Sequence, residues 1–274
     1  MVKLHLSGLR LFLVLLILLS CGSAMGADDA PALTKEQIKH FLLTAKIVGT
    51  HSSKKGVTNT QRLTLSDGTI THDASFQTID EHQPVKQFAD GHTEIRFVDS
   101  YKYNVAAYVL AELVGFDDMM PVYVERMHEG STGSLSWWLS VRMDEAERLQ
   151  RKIEPPNQDA WNKQMYKIRV FDELVYDNDP NLTNVLISPD WKIWRVDFSR
   201  SFRTFHRLKD AKDLGLCDRR LLAGLQALNA DELTAKTKTY LTKEEVRAVM
   251  ARRDLIVDFF QKEIAAKGEA AVLY

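Results

Sequence analysis

VYDNDPNLTNVLISPDWKIWRVDFSR, residues 175–200, sets Asp179, Asn184 and Asp197 among short apolar runs. Ahead of it, NQDAWNKQMYKIRVFDELVY (157–176) places Trp161, Met165, Ile168, Phe171, Leu174 and Val175 on one face, the spacing of an amphipathic helix. The loop DNDPNLTN follows, then NVLIS and WKIWRVDF, two strand-like segments joined by a Ser-Pro-Asp turn. A hairpin folded on that turn returns Asp197 toward Asn184. A carboxylate and an amide oxygen are hard ligands suited to Mg²⁺. Asp179 near the loop's start is placed to orient a hydroxyl or take its proton. A metal clamp with a positioned base is what phosphoryl transfer requires. Asx residues also cap turns by bonding their own backbone, and Asp177 with Asp179 reads alternatively as a hydrolytic carboxylate pair.

The Asp-x4-Asn spacing, with Asp again at 197, resembles the catalytic loop and metal-binding Asp of the protein-kinase-like fold. There is no His-Arg-Asp and no Asp-Phe-Gly; Ser199 stands at the Gly position. NDPNLTN and VDFSRSF look more like the phosphatidylinositol-kinase, HipA-like and Golgi secretory-kinase branches. The resemblance implies Asp179 as the catalytic residue and Asn184 and Asp197 as ligands for Mg²⁺ or Mn²⁺. It further implies ATP or another nucleotide as donor and a hydroxyl acceptor on a protein, sugar or lipid. Pro180 stands where those branches often carry Arg.

Upstream, Thr34 with Gln37 forms a capping box for a helix over 35–44. AKIVGT (45–50) turns β-branched, and QRLTLSDGTITHDASFQTID (61–80) alternates on both sides of Ser66-Asp67-Gly68, a hairpin signal. Residues 81–98 read as irregular and polar. SYKYNVAAYVLAELVG (100–115) is helical, stopped by Gly115. MPVYVERMHEGSTGSLSWWLSVRM (120–143) gives two more strands around a Gly-containing turn. Beyond residue 202 helices resume, and Thr242 with Glu245 caps a long C-terminal one. The expected architecture is α+β and two-lobed, kinase-like: a small antiparallel-sheet N-lobe with one helix over 34–143, and a mostly helical C-lobe over 144–274.

Within that frame GTHSSKKGVTNT (49–60) occupies the phosphate-loop position, with Lys54 and Lys55 in it, but carries only Gly49 and Gly56. The position resembling the phosphate-binding Lys of the third strand holds Gln77, and its helix partner is Asn104. Both members of the usual ion pair are neutral, a consistent double loss, since removing only one would strand a buried charge. Lys55 is a substitute cation on this reading, and Lys86 or Glu94 another source of the missing charges. Trp138, in SLSWWLSVRMDEAER, falls on the hinge that would cradle a base; both Trp137 and Trp138 read equally as core aromatics.

Lys plus Arg total 36 against 37 Asp plus Glu, which supplies no electrostatic reason to expect nucleic acid. The apolar content, 45%, suffices for a real core. At the N-terminus a basic-leaning start precedes LFLVLLILLS, too short to span a bilayer comfortably and typical of a signal-peptide core. LLSCG resembles a bacterial lipobox ending at Cys21; plain cleavage near SAMGA and an uncleaved anchor are alternatives. Residues 1–26 are thus expected to be a signal peptide and 27–33 a tether, with the domain exported to the periplasm or cell envelope and membrane contact only through the signal or lipid. Cys217 then has no disulfide partner and reads as a small buried apolar residue. Two functions remain: an exported phosphotransferase, or a pseudokinase serving as a binding or regulatory module.

Overall fold

The computed structural model describes residues 33–52, 60–179 and 181–274. Helix α1 (Lys35–Thr44) opens on the Thr34–Gln37 capping box, both reciprocal hydrogen bonds present. Strands β1 (Lys46–Ser52), β2 (Gln61–Ser66) and β3 (Thr71–Gln77) follow, β2 and β3 joined at Ser66–Thr71 through a turn in which Asp67 Oδ1 accepts the N–H groups of Thr69 and Ile70. With β6 (Tyr123–His128) and β7 (Ser131–Trp137) they make an antiparallel five-stranded sheet in the order β1-β2-β3-β7-β6. Leu63, Leu65, Ala74, Phe76, Tyr123, Val124 and Leu135 are its buried apolar members. α1 covers β6 and β7, with Phe41 edge-on to Trp137.

Helix α2 (Tyr101–Val114) buries ten of its fourteen residues, so it is a central helix and not a surface one. It ends on Gly115 at φ 77°, a left-handed cap that glycine adopts without strain. One side packs on β6 and β7, the other on α5 (Arg219–Ala227) and α6 (Ala230–Thr237) of the helical lobe.

The segment read as irregular is a hairpin. β4 (Asp80–Gln87) pairs antiparallel with β5 (Thr93–Ser100) in a separate two-stranded sheet inserted between β3 and α2. Its Asp90-Gly91 turn was visible in the sequence, but Pro84 and the density of Glu, Gln, Lys and His obscured the alternation. The physical cause is that the ribbon buries little besides Phe97, Asp99 and Ser100.

After β7 the chain crosses between lobes. The Trp138 N–H bonds Asp73 of the first sheet, and the Arg142 N–H bonds Ile187 of the second. That second sheet has the order β10-β9-β8, from β8 (Met143–Asp144), β9 (Val185–Ile187) and β10 (Ile193–Arg195). α3 (Glu145–Gln150) and α4 (Gln158–Val175) follow β8, and α4 buries Trp161, Ile168, Phe171, Leu174 and Val175 as its periodicity requires. Residues 203–218 hold only a short 3-10 turn at Ala211–Asp213, so the regular helices resume at Arg219 and not directly after 202. α7 (Lys243–Lys267) begins at the Thr242–Glu245 capping box. Cys217 is fully buried, and burial pushes its thiol up to about 12. The whole is a two-lobed α+β fold with a small antiparallel-sheet lobe and a helical lobe, the arrangement the kinase-like resemblance implies. Among the described residues no helix is long and apolar enough to cross a membrane.

Candidate active site

α4 ends at Tyr176 in the left-handed region (φ 50°), where the chain turns into the Asp177–Asn184 loop. The Asp179 N–H donates to Asp177 Oδ1 at 3.2 Å. Asn181 caps the short 3-10 turn Leu182–Asn184, its side chain accepting the Thr183 N–H. That turn aims Asn184 back at the loop, and its Nδ2 donates to Asp179 Oδ2 at 3.5 Å. With the amide nitrogen committed to Asp179, the amide oxygen is left to serve as a ligand.

The hairpin of β9 and β10 returns as its Ser-Pro-Asp turn suggested. Ile193 pairs with Ile187 and Arg195 with Val185, and the Val196 N–H then bonds the Asn184 carbonyl at 3.0 Å. Asp197 is therefore the next residue beyond that bond. Its φ is 58°, a conformation Asp tolerates better than most side chains. Tyr123 of β6 meets the Asp197 backbone, and burial holds the Tyr123 hydroxyl far above its usual range. Asp179, Asn184 and Asp197 thus share one region at the C-terminal end of α4. Among the described residues no group of three or more His, Cys, Asp or Glu is arranged to hold a metal. One carboxylate and one amide fit the sparse donor set with which Mg²⁺ is often held, waters and phosphate oxygens completing the shell.

A buried guanidinium underlies the loop. Arg195 is 2% exposed and donates through Nη2 to Asp177 Oδ2, through Nε to Asp172 and through Nη1 to the Val196 carbonyl. Ser201 Oγ and the Asp179 N–H occupy the other Asp177 oxygen. Asp177 is 3% exposed and fully engaged, so the pairing of Asp177 with Asp179 as hydrolytic carboxylates does not hold. Arg195 went unread in the sequence, although strand alternation puts it on the same side as buried Ile193.

On the small-lobe side, Gln77 and Asn104 meet. Asn104 Nδ2 donates to Gln77 Oε1 at 2.6 Å and lies 3.4 Å from Ser134 Oγ. Its Oδ1 accepts the Phe198 N–H at 2.6 Å. Asn104 is 1% exposed, so its polar atoms depend on these partners. Gly133 opposite is required: a Cβ there would sit 2.5 Å from the Gln77 carbonyl. Lys86 and Glu94, the other sources considered for the missing charges, lie on the inserted hairpin, Lys86 on Glu81 and Glu94 on Arg200 and Arg203.

Trp138 begins the lobe crossing, half-buried, with the Arg62 guanidinium 4.5 Å above its ring. Arg62 is itself bonded to Asp73, which also accepts from Thr64 Oγ1 at 2.7 Å. Trp137 stacks on His72 at 3.5 Å as a packing aromatic. Lys54, Lys55 and Pro180 lie outside the described residues.

No family model and no curated protein sequence matches the chain. Among solved structures it is similar to the Helicobacter pylori proinflammatory kinase CtkA, with 9% identity over 82% of this chain and 98% of that one. The TM-score is 0.43, a likeness too slight to bear on the chemistry.

Proposed function

We propose that the chain is a kinase-like phosphotransferase that moves a phosphoryl group from ATP or another nucleotide to a hydroxyl acceptor. Asp179 orients the acceptor hydroxyl and receives its proton as the new phosphorus–oxygen bond forms and the bond to the leaving diphosphate breaks. Asn184 and Asp197 hold Mg²⁺ or Mn²⁺, which would neutralise phosphate charge. The observation that carries this reading is the Asn184 side chain, bonded to Asp179 while its backbone is paired with the residue before Asp197. Gln77 and Trp138 border the nucleotide side, and Lys54 and Lys55, which fall between β1 and β2 in the sequence, supply cations. We read residues 1–26 as an export signal with a lipobox at Cys21, and 27–33 as a tether that leaves the domain in the cell envelope. The branch we favour is the one containing the phosphatidylinositol, HipA-like and Golgi secretory kinases, on the loop sequence NDPNLTN.

A specific observation favours a second reading, a pseudokinase. The buried Gln77–Asn104 contact is neutral, so the cation that normally steadies the donor phosphates is missing from β3. Thermal melting with nucleotides and Mg²⁺ or Mn²⁺ separates the two. A nucleotide at about 100 times its Kd adds about 2.7 kcal/mol. A metal-dependent rise in the midpoint, followed by product formation on a hydroxyl acceptor, supports the transferase. No rise with any nucleotide overturns it in favour of the binding module.

A further inference from the structure

The inserted β4–β5 hairpin docks on the chain immediately after Asp197. Glu94 of β5 accepts from Arg200 Nη2 and lies 2.9 Å from Arg203 Nη1. Arg203 Nη2 donates to the Ile95 carbonyl at 2.8 Å, and the Ser100 N–H donates to the Ser199 carbonyl at 2.8 Å. The side chains of Glu94, Arg200 and Arg203 are 10%, 19% and 9% exposed, so solvent screens these pairs little. Arg200 also lies 5.3 Å from the rings of Phe88 and Phe97, which wall the charge cluster. From the opposite side Arg252 Nη1 holds the Arg203 carbonyl at 2.8 Å, and the Phe202 N–H bonds the Val175 carbonyl at 2.6 Å. Asp197 and Phe202 both have positive φ, 58° and 59°. Such a turn is costly for side-chain-bearing residues and persists where its surroundings over-determine it.

We propose that Glu94 is a positioning residue that fixes the Asp197–Arg203 segment by drawing Arg200 and Arg203 onto the hairpin, and thereby sets the metal-side carboxylate. Segments of this kind can be ordered by phosphate paired with arginine. Here a carboxylate carried by the same chain occupies the two arginines, so order in the segment requires no covalent modification. The consequence for the metal rests on the phosphotransferase reading; the consequence for the segment does not.

The test compares the full chain with Glu94→Gln, Glu94→Asp and Arg203→Gln. Hydrogen exchange is followed in the peptide spanning 197–203, and Mn²⁺ affinity is followed by electron paramagnetic resonance. Glu94→Gln is expected to speed exchange in that peptide about tenfold and to weaken Mn²⁺ binding, with α4 and α7 protected as in the wild type. Glu94→Asp is expected to recover most of both. Should Glu94→Gln fail to fold, Arg203→Gln is expected to give the same local acceleration. Unchanged exchange in the soluble variant overturns the proposal, as does Glu94→Asp behaving like Glu94→Gln. A wild type that binds no Mn²⁺ overturns the phosphotransferase reading instead, and the exchange comparison then decides the role of Glu94 alone.

Discussion

The side-chain oxygen of Asn104 accepts the backbone N–H of Phe198 at 2.6 Å, fastening helix α2 of the small lobe to the residue that follows Asp197. The same amide donates to Gln77 at 2.6 Å. Asn104→Leu would remove the bond each of these groups makes to Asn104, at about 1–3 kcal/mol where a buried donor such as the Phe198 N–H is left unsatisfied. Urea denaturation is expected to show that loss, with the denaturant slope unchanged.

Gln77→Lys and Asn104→Asp each put one uncompensated charge into this contact and are expected to destabilise by about 3 kcal/mol or more. The double variant restores an ion pair and is expected to regain much of the loss. Additive losses in the double-mutant cycle would mean that the two side chains are not coupled. By the same reasoning Gln77→Lys alone gains little activity.

Asp197→Asn keeps the shape and tolerates the left-handed backbone while removing the charge. It is expected to abolish metal-dependent nucleotide binding and to leave the melting midpoint almost unchanged. Isothermal titration with and without Mn²⁺ is the check. Unaltered affinity in this variant would remove Asp197 from the metal site.

Arg195→Met strands Asp177, 3% exposed, without its cation and is expected to cost about 3–5 kcal/mol. Arg195→Met with Asp177→Leu removes both members of that pair, leaving Asp172 as the remaining carboxylate without its cation, and is expected to be more stable than Arg195→Met alone. Denaturation of the three variants decides the point.

Burial holds the His72 imidazole below its usual value, outweighing the hydrogen bond to the Trp138 carbonyl. The folded state therefore prefers neutral His72. As pH falls below about 6.5 the unfolded chain takes up a proton first. The stabilisation is complete above that value and is lost as pH falls through the depressed folded value. His72→Phe keeps an aromatic ring against Trp137 and is expected to flatten this part of the stability profile. Melting midpoints of the two proteins between pH 7 and about pH 5 provide the comparison.

Much of the fold was legible because its signals are local. The two capping boxes, the Gly115 stop and the apolar face of α4 each need only a few neighbouring residues to be recognised. The loop from Asp179 to Asn184 and the hairpin to Asp197 were legible through spacing and the Ser-Pro-Asp turn. The β4–β5 ribbon was not, because a strand that buries little carries a weak apolar alternation. The Arg195–Asp177 pair was hidden for a different reason: a buried ion pair is a tertiary fact, and the alternation that puts Arg195 beside buried Ile193 does not point to Asp177 as its partner. The bond from Asn104 to Phe198 joins residues 94 positions apart, a distance at which no local pattern operates.

The joint between α2 and the segment bearing Asp197 is built from uncharged amides. Dissolved ions erode attractions between opposite charges, and acidity erases carboxylates, but neither acts on a bond from an amide to a peptide N–H. The register between the two lobes at this point is therefore insulated from brine and from mild acid.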